Sequence, residues 1–235
     1  MNEPKTPSPR QWEDEAAQRI SDDPTAIRTL FPAVGRKVGR APLDPDNDPQ
    51  GLILGTEDDR VRVMLLGVFA SVCLPARIAA EIADLYRYGD DAERRGVLRG
   101  LDVVTATQEP GAEAERLVDA ALTLVRDALR ANDVRLVAAA MGPFAAHNLE
   151  AHGWRHGVLK CLFTGVPLAA VVDLDERVDD ELLRMIEDYA TERRAAGREV
   201  PPDALALLDR HAGEGSQQSA QATSEQAAQD QGRQH

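Results

Sequence analysis

His152, His156 and Lys160 recur every four residues, so a helix through them would set two imidazoles and an ammonium on one face. Two histidines at that spacing can ligate zinc. A third ligand is needed, and only a fold-back of His147 or Glu150 could supply it. A lysine next along the same face opposes a bound cation, so the triplet reads as the polar wall of a groove and no metal is expected. In an enzyme, His156 would be the general base, and Lys160 or Arg94 would clamp an anion.

Arg87, Asp90, Arg94 and Arg95 flank a single turn. Asp90 as a helix cap with Arg94 four residues on gives a structural ion pair. The same arginines read functionally would bind carboxylate or phosphate. Asn132 joins two helical stretches, as a cap or as an amide projecting into a groove. Trp154 packs a core or walls a ligand site. Asp173, Asp175, Glu176 and Arg177 form a charged joint, either a solvated hinge or paired carboxylates for acid–base work. The DPDND run beginning at Asp44 lacks the glycine and closing glutamate of a calcium loop and reads as a turn. The sequence has no phosphate loop, nucleophile elbow or zinc signature. The groove candidates are therefore Arg87, Asp90, Arg94, Asn132, His147, Trp154, His156 and Lys160, with no catalytic set and no cofactor.

Helices must position these side chains. The composition is rich in Ala, Leu, Arg and Glu, which favours helix. Pro24 starts one stretch, and Ile27, Leu30, Phe31, Val34 and Val38 follow at helical spacing with Pro32 as a kink or interruption. Thr56 with Asp59 opens a second, whose inward face is Val61, Leu65, Val68 and Val72, widened by Met64, Leu66 and Phe69. Pro75 opens a third, which Gly89 ends in a left-handed conformation. Asp90 caps a fourth. Ala112–Arg130 is a long amphipathic helix. Asp133 caps the next, Trp154–Phe163 continues, and residues 168–173 are read as helix in preference to strand. Asp179 caps 180–196, and 201–211 closes the fold. The expected class is all-α. Successive helix pairs of about forty residues suggest an irregular HEAT-like, α-solenoid-like build, with a compact bundle as the alternative. Residues 1–11 read as a flexible arm, 12–211 as the helical domain and 212–235 as a disordered tail rich in Gln, Ser and Ala.

The chain has 235 residues and a formal net charge of −13, which argues against a nucleic-acid partner. Cys73 and Cys161 sit in apolar runs without CxxC spacing, as packing residues of a reducing compartment. The first twenty residues lack the apolar run of a secretory signal, and the longest apolar runs are too short to span a bilayer. The expected location is the cytoplasm.

Three segments carry a resemblance to a known family. They are LFPAVGRKVGRAPL, LYRYGDDAERRGVLRGL, and the long run from DALRANDVRL through GWRHGVLKCLFTGVPL to DELLRMIEDYATERRAAGR. In that order and spacing the chain resembles the EboA family of metabolite traffic proteins over most of residues 30–200. It departs from the usual pattern at Ala131, where the family has Thr, and at Arg194, where it often has Trp. The resemblance implies a cytoplasmic helical protein that helps move a secondary-metabolite precursor, such as a prenylated one, toward export. Its implied partners are that metabolite and pathway enzymes, including a membrane prenyltransferase. The alternative is an isomerase or lyase acting on a small phosphorylated or acidic metabolite.

Overall fold

The computed structural model describes residues 8–212, and every regular element among them is helical. Residues 213–235 of the expected tail and residues 1–7 of the arm expected at 1–11 lie outside the described residues, while residues 9–11 belong to the first helix and residue 212 to the last. Ser8 opens α1 (Pro9–Asp22) by accepting the Gln11 N–H at 3.3 Å. After a 3-10 turn capped by Asp23, α2 (Ile27–Val38) runs straight through Pro32. Proline removes one hydrogen bond. Burial of Ile27, Leu30, Phe31 and Val34, at about 1.5–3 kcal/mol per large side chain, outweighs that loss.

Then come α3 (Glu57–Val72), α4 (Pro75–Tyr88), α5 (Asp91–Ala106), α6 (Ala112–Arg130), α7 (Val134–Ala140), α8 (Pro143–Asn148) and α9 (Ala151–Thr164). Alternate helices pack on one another. α1, α3, α5, α7 and α9 form one succession, and α4, α6 and α8 another.

The most extensive pairing is α3 with α5. A Cβ at Gly96 would come within 2.4 Å of Arg62 Cδ, and one at Gly100 within 2.5 Å of Leu66 Cδ1. Two glycines one turn apart on α5 thus let the helices approach closely.

Several local expectations need correction. Val61, Leu65, Leu66 and Phe69 of α3 are buried as expected, but Asp58, Asp59 and Arg62 are buried with them, Val68 is half-buried and Val72 is exposed. At the helix start charged residues join the buried Val61 on the inward face. Gly89 has φ −78° and is extended, because Asp90 immediately begins the cap of α5. The left-handed stops are Gly165 and Gly197. Residues 168–170 form one 3-10 turn, and Val171 is extended. The Asp90–Arg94 ion pair does not form. Asp90 faces Arg40 at 3.6 Å, and Arg94 meets Asp127 at 3.0 Å.

The chain divides into two compact units at Leu174/Asp175, at the start of the short α10 (Leu174–Arg177). In the second, α11 (Asp180–Ala195) is capped by Asp179, which accepts the Leu182 N–H at 2.9 Å. Leu182, Ile186 and Tyr189 of α11 are buried, as are Ala204 and Leu207 of α12 (residues 202–212). Arg210 of α12 pairs with Asp175 at 2.9 Å.

Candidate functional site

At the starts of α3 and α5 the two inward stripes carry opposite charges. Asp58 and Asp59 come from α3, and Arg95 and Arg99 from α5. Arg62 lies one turn further along α3. Asp58, Asp59, Arg62 and Arg95 are all at most 5 % exposed. Charges taken out of water must be paired closely to be tolerated, and here they are. Arg95 Nε donates to both oxygens of Asp59 at 2.8 Å, and its Nη2 donates to Thr56 Oγ1 at 3.1 Å. The Thr56 hydroxyl in turn donates to Asp58 Oδ1 at 2.5 Å. Arg62 Nη1 donates to Asp58 Oδ2 at 2.6 Å, while its Nε and Nη2 are buried with no protein partner. The Phe31 ring lies 5.5 Å from that guanidinium and offsets part of the deficit by a cation–π contact.

The adjoining loop is held from both sides of its backbone. Asp48 is buried and accepts the N–H groups of Leu52, Ile53 and Leu54 at 2.8–2.9 Å. Arg99 donates to the carbonyls of Gly51 and Leu52 at 3.0 Å and of Ile53 at 3.3 Å. The calcium-like run is thus a loop clamp. Burial pushes the Asp58 carboxyl up, but hydrogen bonds from Thr56 and Arg62 and the charges of Arg62 and Arg95 hold it below its ordinary value. Burial also lowers the Arg99 guanidinium, against the opposing pull of Asp59.

Above this network lies a half-enclosed pocket of about 410 Å³. Its charged lining is Arg40, Arg95 and Arg135 with Asp90, Asp91 and Asp133. Thr56, Gln50, Pro42 and Pro49 complete most of the wall. Asp90 caps α5 by accepting the Glu93 N–H at 2.8 Å, and Asp133 caps α7 by accepting the N–H groups of Arg135 and Leu136 at 2.9 and 3.0 Å.

The eight groove candidates do not converge on one cavity. Asp90 lines the pocket just described. Arg87 and Arg94 line a separate hollow, where Arg94 Nη2 donates to Tyr86 Oη at 2.9 Å and to Asp127 at 3.0 Å. Desolvation, with the Asp127 contact, pushes the Tyr86 hydroxyl up to about 12. His156 and Lys160 share a third hollow with Phe163, and Lys160 Nζ reaches Asn132 Oδ1 at 3.1 Å. His156 also meets His152, ring to ring, at 4.3 Å. His147 stands 3.6 Å from both Asp102 and Asp173. Trp154 is 1 % exposed and belongs to the core, because α9 turns it inward with Val158 and Cys161. Of the enzyme alternative's residues, the base His156 and the clamp Lys160 line one hollow, whereas the other clamp, Arg94, lines another.

Sequence reasoning missed Arg40, Asp58, Arg62, Arg99 and Arg135. The signal was present: Asp58 and Arg62 precede Leu65, Leu66 and Phe69 on one stripe, and Arg95 and Arg99 fall on the stripe of Leu98. Charged residues continuing an apolar stripe mark a buried network.

Among the described residues no helix is long and apolar enough to cross a membrane. No curated protein and no solved structure matches the chain. A family model does match, over residues 112–209, a shorter span than the resemblance suggested and one that contributes Asp133 and Arg135 to the pocket. That segment is similar to the family described as metabolite traffic protein EboA.

Proposed function

We propose that this protein holds a small metabolite in the pocket over the buried arginine–aspartate network and hands it on unchanged. The observation that carries this is the floor of the pocket. Arg95 is fixed by Asp59 and Thr56, so a donor faces the hollow without having to be ordered on binding. Guanidinium groups bind and orient but do not exchange protons near neutral pH, which suits holding better than acid–base turnover. The family description, metabolite traffic, supports the same role.

In this account the cargo is a secondary-metabolite precursor, such as a prenylated one, on its way to export from the cytoplasm. The protein passes it between pathway enzymes, a membrane prenyltransferase among them. The test is to incubate the full chain with producer-cell metabolite extract, remove free solutes and identify what is released on denaturation. A compound recovered with unchanged mass supports holding. Recovery of nothing, or of a compound converted only in the presence of the protein, overturns it.

A further inference from the structure

Three basic and three acidic side chains line the proposed pocket, but they are not equally available. The carboxylates of Asp90 and Asp133 are already engaged as helix caps. Arg95 spends Nε on Asp59 and Nη2 on Thr56, which leaves Nη1 as its one nitrogen without a hydrogen bond. The side chain is only 5 % exposed, and the pocket is where it meets solvent. Arg40 has only long contacts, at 3.9 Å to Asp58 and 3.6 Å to Asp90. Arg135 is exposed and contributes its backbone N–H, not its guanidinium, to the cap of α7. Counted by free valence, the hollow offers donors, and positive ones. The first turn of the sixteen-residue α5, at Asp91 and Ala92, adds the positive end of a helix dipole.

Resting on the holding role proposed above, we infer that the cargo carries an oxyanion, a carboxylate or a phosphate, which sits on the free edge of Arg95 with Arg40 and Arg135 as further contacts. A guanidinium whose Nε and Nη2 are held by Asp59 and Thr56 presents Nη1 as a fixed, charged donor, which suits an oxyanion. A cationic ligand would find two of the three carboxylates, Asp90 and Asp133, already bonded to backbone, with Asp91 alone remaining.

The test titrates the full chain at low salt with four probes of similar size: benzoate, phenyl phosphate, benzyl alcohol and benzylamine. Benzoate, phenyl phosphate or both should bind, and their ranking names the oxyanion. The alcohol and the amine should bind at least tenfold more weakly. Arg40→Gln and Arg135→Gln change exposed side chains, so both variants should stay folded, and each should weaken the anion by about tenfold, as expected for a charge-assisted hydrogen bond. Amine binding equal to or tighter than that of the anions overturns the inference. So does anion binding that neither variant weakens, or failure of all four probes. Extract capture of a neutral or cationic compound would refute the oxyanion while leaving the holding role intact.

Discussion

Arg62 and Asp58 stand one turn apart on α3 and meet at 2.6 Å with both side chains fully shielded from solvent. The pair is asymmetric. Asp58 also accepts from Thr56 and lies 3.6 Å from Arg95, whereas Arg62 has no second hydrogen-bond partner. Asp58→Asn should therefore destabilise the protein by about 3–5 kcal/mol, because it strands a buried cation. Arg62→Met keeps the apolar stem, removes two unsatisfied nitrogens and leaves Asp58 paired, so its cost should be under about 1 kcal/mol. Denaturant midpoints of the two variants check the order; a costlier Arg62→Met would contradict this view of the network.

Gly96 faces the stem of the same arginine. An added methyl would meet Cδ at 2.4 Å, Cβ at 3.0 Å and Cγ at 3.2 Å, none of them a free side-chain end. Gly96→Ala should cost about 1–3 kcal/mol through overpacking, despite the better helix propensity of alanine. A midpoint at or above that of the wild type would mean that α3 and α5 can separate at no cost.

Two carboxyls in this region should shape the pH dependence in opposite senses. Asp58 is held below its ordinary value of 3.8, so its stabilisation is complete above that pH and is lost as pH falls through the lowered value. Glu93 is pushed above its ordinary value of 4.5 by desolvation and by Asp90. Its contribution is present below 4.5 and is lost as pH rises through the raised value. Glu93→Gln, which can still accept the Asp90 N–H, should thus raise stability at neutral pH and change it little at pH 3. Asp58→Asn should flatten the acid limb. Stability measured across pH 2–8 distinguishes the two effects.

Much of this fold was legible because capping chemistry is local. Asp90, Asp133 and Asp179 could be read as caps since each precedes an amphipathic run, and the structure makes all three. The bounds of α6 followed from its periodicity alone. The site was less legible because it depends on partners far apart in sequence. Arg95 finds Asp59 thirty-six positions away, and Arg99 finds Gly51 forty-eight away. A helical wheel shows that these residues face inward, but not that a counter-charge waits there. Trp154, His156 and Lys160 looked like one wall, yet two positions along α9 separate a core residue from an exposed one.

Asp48 organises the loop that walls the pocket, and its effect can be read locally. Asp48→Ala removes the acceptor for three amides, so hydrogen exchange at Leu52, Ile53 and Leu54 should accelerate by at least tenfold, with the amides of α6 unaffected. Unchanged protection at those three amides would show that Arg99 alone holds the loop.

Under the proposed function, a metabolite sits over Arg95 and leaves unaltered. The most direct measurement is mass spectrometry of small molecules released from the full chain after exposure to producer-cell extract, run side by side with Arg135→Glu. The account predicts an intact compound on the wild type and its loss from the charge-reversed variant. An equal yield from both proteins, or none from either, would contradict it.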